Sequence, residues 1–158
     1  VLRFTRLPSE LLELEINARA LRRGGEGLDR DLAALRELGV RCVLDDLTAI
    51  RDLDRLEHVE IAGIELDRRH VGAIDDGGGR VATAVLAAGR ALGIDTTAEG
   101  VETPEQLRFL HDRGCTIAQG HLFARAAPGH EVLHLLDLQF DENGDSSPAV
   151  RRPHASGE

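Results

Sequence analysis

Carboxylates recur at one kind of place in this sequence. Glu15, the pair Asp45 and Asp46, Asp67 and Glu99 each stand at or near the end of a short apolar run, and Gln119 closes the series. If the runs are parallel strands, these residues gather at one rim, and hard oxygen ligands converging there suit Mg2+ or Mn2+ rather than zinc. The competing reading is that acidic residues at strand ends cap helices or meet solvent. Asp67 stays open between joining such a rim and pairing with one of the many arginines. A second pattern is HEVLH at 130–134, which matches the H-E-x-x-H arrangement of zinc peptidases, with His130 and His134 on one helical face and Glu131 between them. A peptidase also needs a third ligand downstream, where the sequence offers LLDLQ and a polar tail, so solvated helix histidines are the better reading. DDGGGR at 75–80 lacks the Lys-Ser or Lys-Thr of a phosphate loop and has the wrong glycine spacing for a dinucleotide fingerprint; it reads as a loop before a helix. His58 and His111 have no second ligand at metal spacing and read as surface residues.

The elements that must position the rim follow from period. LLELEI (11–16), RCVLDD (41–46), AGIELD (62–67), IDTTAEG (94–100) and TIAQGHLF (116–123) read as strands. Between them LDRDLAALRELG (28–39), RVATAVLAAGRALG (80–93) and PEQLRFLHDRG (104–114) carry apolar residues at helical spacing and end in Gly39, Gly93 and Gly114. A shorter helix is expected around 51–58, and PGHEVLHLLDL (128–138) reads as a last one. This alternation calls for an α/β fold with a parallel sheet and helical crossovers, and in a (β/α) barrel the C-terminal strand ends form the active face. Residues 139–158 are polar, rich in Pro, Gly and Ser and without period, and are expected to be disordered.

Composition narrows the function classes. At 158 residues and 42% hydrophobic content the chain supports one domain rather than two. The four aromatics are all Phe, which supplies base stacking poorly, and the net charge of −9 disfavours polymeric nucleic acid. All 19 basic residues are arginine, so no lysine is on hand for catalysis. Cys42 and Cys115 are too few for a disulfide framework and fit a reduced, cytoplasmic setting. No segment has the apolar length for membrane insertion, and the sequence begins as if cut from a longer protein.

AEGVET at 98–103 and AQGHLF at 118–123 are similar, in sequence and spacing, to the AEGVET and QGYxF signatures of the EAL domain family of cyclic di-GMP phosphodiesterases. LELEI at 12–16 resembles the family's LELTE or LEITE strand, LDD at 44–46 its DDFGTG motif and IELD at 64–67 its KID motif. The resemblance covers residues 1–138 and implies a partial TIM-like barrel, roughly the last five strands of the family's domain. It also implies that Glu15, Asp45 and Asp46 are metal ligands for Mg2+ or Mn2+, that Glu99 is general base or metal-proximal ligand, that Gln119 lies near the catalytic water, and that Glu102 steadies site and ligand. The chemistry implied is that of a two-metal site, with phosphate charge neutralised and hydroxide available at neutral pH.

The departures from the family carry equal weight. The Glu-Ala-Leu strand and the strand bearing the ligand asparagine are not in this sequence, so two metal ligands are missing. The KID lysine corresponds to Glu65, an anion in place of a cation. The glutamate that steadies the family's metal-and-dimer loop corresponds to Ala18, the loop reads DDLTAI with one residue fewer, and the aromatic after QG is His121. A degenerate EAL module is therefore the favoured expectation: inactive alone, and serving as a cyclic di-GMP receptor, an interaction module or a remnant. A working phosphodiesterase completed by the missing strands is the alternative, and a zinc peptidase the remote one. Five strands of a barrel leave two open edges, so exposed apolar surface, a homo-oligomer or an upstream signalling domain is expected to accompany them.

Overall fold

The computed structural model describes residues 2–45, 47, 59–132, 135, 138–140 and 146–148. Five parallel strands lie side by side in chain order: β1 (Glu13–Asn17), β2 (Arg41–Asp45), β3 (Gly63–Leu66), β4 (Asp95–Glu99) and β5 (Ile117–Gln119). All four pairings are parallel, as the expected α/β barrel wall requires. The helix expected around 51–58 lies outside the described residues, as does Asp46.

Alternation along each strand divides the sheet into two unlike faces. Even-numbered positions Cys42, Leu44, Ile64, Leu66 and Ala98 are buried in one core with Leu32, Val71, Val85, Leu86 and Leu110 from the covering helices. Odd-numbered positions carry Glu13, Glu15, Asn17, Arg41, Asp45, Glu65, Asp67, Thr97, Glu99 and Gln119. The hydrophobic effect thus seats the helices on the even face and leaves the polar set together on the other.

The helices are α1 (Leu2–Thr5), α2 (Ala18–Arg23), α3 (Glu26–Glu37), α4 (Arg68–Gly72), α5 (Arg80–Leu92), α6 (Pro104–His111) and α7 (Gly129–Val132). Left-handed Gly39, Gly93 and Gly114, with φ of +82°, +68° and +79°, turn the chain back after α3, α5 and α6, which places the next strand parallel to the last. Three short helices, α1, α2 and α4, were not legible beforehand. α2 follows β1 directly because Asn17 caps it, accepting from the Arg19 amide at 2.9 Å, and α4 is capped in the same way by Asp67.

The last helix is shorter than its pattern suggests. α7 ends at Val132, and Leu138 opens a strand, β6 (Leu138–Phe140), that pairs antiparallel with β7 (Ser146–Pro148). Strand pairing therefore enters the stretch expected to lack order. Among the described residues, no helix is long and apolar enough to cross a membrane. Leu14 on the β1 edge is 36% exposed and Ile117 on the β5 edge 47%, so each edge of the sheet carries an uncovered apolar side chain.

Candidate functional site: a carboxylate rim

The register of the sheet assembles the rim. Asn17 stands opposite Asp45 across β1 and β2, Glu65 opposite Thr97 across β3 and β4, and Glu99 opposite Gln119 across β4 and β5. Shared parity then aims these side chains to one face. Glu15, Asp45 and Glu65 each bring a carboxylate oxygen within 4.8 Å of the other two. Glu65 is only 7% exposed, and its carboxylate makes no hydrogen bond or ion pair with any described residue. Three hard oxygen donors, one of them buried without a partner, fit a small divalent cation and do not fit a soft one.

Electrostatics follow from that crowding. Burial first, and then the charges of Glu15, Glu99, Asp45 and Glu13, push the Glu65 carboxyl up to about 7. Glu99 is also raised, by burial and by Asp45 and Glu15, while a hydrogen bond from Gln119 acts against the shift. Gln119 Nε2 donates to Glu99 Oε1 at 2.7 Å. Glu99 therefore faces the same acids but stands outside the group of three that could share one ion.

Two loops hold the far side of the rim. The Val101 amide donates to the Gln119 carbonyl at 3.0 Å and the Leu122 amide to the Val101 carbonyl at 3.0 Å, so the chain after β4 is bonded to the chain after β5. Gly120 makes that approach feasible, since a Cβ there would lie 2.1 Å from the Val101 carbonyl oxygen. Glu102 is fixed through its backbone, whose amide donates to Gln106 Oε1 at 2.7 Å, while its exposed carboxylate lies 3.7 Å from His121 Nδ1. Gln106 is 3% exposed and also donates from Nε2 to Asp75 Oδ2 at 2.7 Å, which joins the glycine-rich loop to the start of α6.

The expected site residues that are described each have a definite place. Glu15, Asp45, Glu99 and Gln119 share the polar face, Glu102 sits on the loop beyond it, and Asp46 lies outside the described residues. Ala18 is buried at the start of α2 and brings no polar atom to the rim. Asp67 caps α4 and is bonded to Arg69 Nε at 2.9 Å, a contact that lowers its pKa. His130 is exposed on a four-residue helix, and His134 lies outside the described residues.

Sequence reasoning missed Glu65 as a member of the acidic group and Gln106 as the brace of the loop. The signal for Gln106 was present: Thr103-x-x-Gln106 is a capping box, and both of its reciprocal bonds form.

Comparison with known proteins agrees with the fold. The chain is 36% identical over 120 residues to the cyclic di-GMP phosphodiesterase NbdA of Pseudomonas aeruginosa, covering 74% of this chain and 15% of that protein's length. Among solved structures, the EAL domain of Mycobacterium smegmatis DcpA superposes with a TM-score of 0.76 at 28% identity, over 85% of this chain and 62% of that one. The manganese and cyclic di-GMP complex of Klebsiella pneumoniae BlrP1 superposes with a TM-score of 0.69 at 28% identity, over 78% of this chain and 32% of that one. The EAL domain profile itself matches residues 1–126, most of the chain, and the chain belongs to the EAL domain family.

Proposed function

We propose that this chain is a degenerate EAL module that does not hydrolyse cyclic di-GMP on its own and acts as a receptor for that dinucleotide or as an interaction module in a cytoplasmic signalling protein. The observation that carries the reading is Glu65, an acid within 4.8 Å of Glu15 and Asp45, where the family resemblance calls for lysine. A phosphodiester approaching this rim meets clustered negative charge, and the sequence contains no lysine to offset it. Reversing the sign of one transition-state contact costs more than losing it, and loss alone commonly costs about a hundredfold.

The donor set still suits Mg2+ or Mn2+, held by Glu15 and Asp45, with Asp46 as a further ligand implied by the resemblance. A cation bound there would neutralise phosphate charge and make hydroxide available at neutral pH. What this chain's own residues do is narrower: Glu99 faces the rim with Gln119 bonded to it, and Glu102 is presented by a braced loop. That preserved pair supports the second reading, an active phosphodiesterase completed by the strands not present in this sequence. Partners on the proposed reading are cyclic di-GMP, a second copy of the chain at the exposed strand edges, or an upstream signalling domain.

Equilibrium dialysis of the full chain with cyclic di-GMP and Mn2+, followed by separation of the nucleotides, tests the proposal. Recovery of intact cyclic dinucleotide is the expected result. Conversion to the linear dinucleotide would refute it, and retention of the intact ligand would favour the receptor role over the interaction role.

A further inference from the structure

Glu15, Asp45 and Glu65 come from three adjacent strands, β1, β2 and β3, and from the same face of the sheet. The 4.8 Å within which their oxygens lie is the span that one ion bridges with metal–oxygen distances of about 2.0–2.6 Å. Proximity of acids alone does not make a site. The independent observation is that Glu65 is 7% exposed, that its carboxylate has no hydrogen-bond or ion-pair partner among the described residues, and that this carboxylate points into the cluster. Burying a carboxylate with neither donor nor counter-charge is costly, and a shared cation removes that cost.

We infer that Glu65 is itself a metal ligand, completing with Glu15 and Asp45 an all-carboxylate site for one hard divalent cation, Mg2+ or Mn2+, with water in the remaining positions. The inference rests on the cation reading above and adds to it a ligand that the family pattern does not supply. Three carboxylates around one divalent ion leave a net charge of −1, so the loaded site neutralises phosphate charge less well than one with a lysine in place of Glu65. The acid at position 65 thus strengthens the hold on the ion while weakening the appeal to substrate. Glu99 stays outside the triad, with Gln119 bonded to one of its oxygens.

Mn2+ binding to the full chain, followed by the loss of the free-ion electron paramagnetic resonance signal, tests the assignment in the wild type, Glu65→Gln and Glu13→Gln. Glu13 lies on the same face but is bonded to Arg41 at 3.0 Å, so its variant removes a charge without removing a triad member. Glu65→Gln is expected to weaken Mn2+ at least about tenfold, as loss of a coordinating or supporting group does. Glu13→Gln is expected to change it by less than about threefold, because the more distant charge is screened. Carboxyl-selective NMR of the wild type with Mg2+ gives a readout that needs no variant: the Glu65 side-chain resonance should move with those of Glu15 and Asp45. Undiminished Mn2+ affinity in Glu65→Gln, or a Glu65 resonance that Mg2+ leaves unmoved while Glu15 and Asp45 shift, overturns the inference and leaves the cation reading standing. A wild-type chain that binds no Mn2+ overturns both.

Discussion

Gln119 Nε2 donates to Glu99 Oε1 at 2.7 Å across the paired ends of β4 and β5, so the two signature segments AEGVET and AQG meet side chain to side chain. The bond holds the ionised form of Glu99 against burial and the neighbouring acids, which both raise its pKa. Gln119→Leu keeps the bulk and removes the donor, so Glu99 should titrate at still higher pH. Carboxyl NMR through a pH series measures this, and an unchanged or lower Glu99 pKa would contradict it. The exposed bond should contribute less than about 1 kcal/mol to stability.

Glu65 makes the fold itself pH-sensitive. Its folded-state pKa of about 7 lies above the ordinary 4.5, so the folded chain binds this proton more tightly than the unfolded one. Its contribution to stability is complete below about 4.5 and is lost as pH rises through about 7. Glu65→Gln removes that dependence. With chelator present, the variant should match the wild type near about pH 4 and melt higher at about pH 8; after allowance for screening on the open face the gain is about 1 kcal/mol, or roughly 2–4 °C in Tm. Equal melting temperatures at the alkaline end would show that the carboxylate is not destabilised.

Gly120 is where the two rim loops come closest. A methyl group there would sit 2.1 Å from the Val101 carbonyl oxygen and 2.3 Å from its nitrogen, both backbone atoms that cannot step aside alone. Gly120→Ala should therefore destabilise by about 1–3 kcal/mol, whereas Gly129→Ala, with nothing within 4 Å, should be neutral or slightly stabilising. Thermal melts of the two variants provide the comparison, and a neutral Gly120→Ala would mean that the loops are not clamped.

Gln106 accepts from the Glu102 amide and donates to Asp75 while 3% exposed. Gln106→Leu keeps the volume but leaves the part-buried Glu102 amide without its acceptor, at an expected cost of about 1–3 kcal/mol. Hydrogen exchange should report it first at the Glu102 amide. Protection there equal to the wild type would mean that the brace is dispensable.

Much of this architecture was readable from the residues. Apolar side chains at even positions of β2 and β3 declare strands with a helix-covered face, and Gly39, Gly93 and Gly114 mark helix ends because their left-handed backbone suits glycine. The segment 128–138 was less decipherable: its spacing suits one helix, yet among the described residues Gly129–Val132 are helical while Leu138 pairs with Pro148 in a strand. The site was legible as a list but not as a geometry. Parity places Glu65 on the face of Glu15 and Asp45, but whether it reaches them depends on the stagger of β3 against β2, fixed by the pairing of Val43 with Gly63. A sequence shows the loss of a lysine; only the register shows that its replacement joins the acids.

The central claim is that the rim has changed from a phosphodiesterase site to an anionic one, and turnover of cyclic di-GMP by the full chain with Mn2+ tests it most directly. Wild type, Glu65→Lys and Glu99→Ala are compared under the same conditions, with formation of the linear dinucleotide as the readout. The predicted result is no Mn2+-dependent product from any of the three, because restoring one cation repairs little where residues act as a unit. Mn2+-dependent hydrolysis by the wild type, abolished in Glu99→Ala, would contradict the account and make this chain an enzyme.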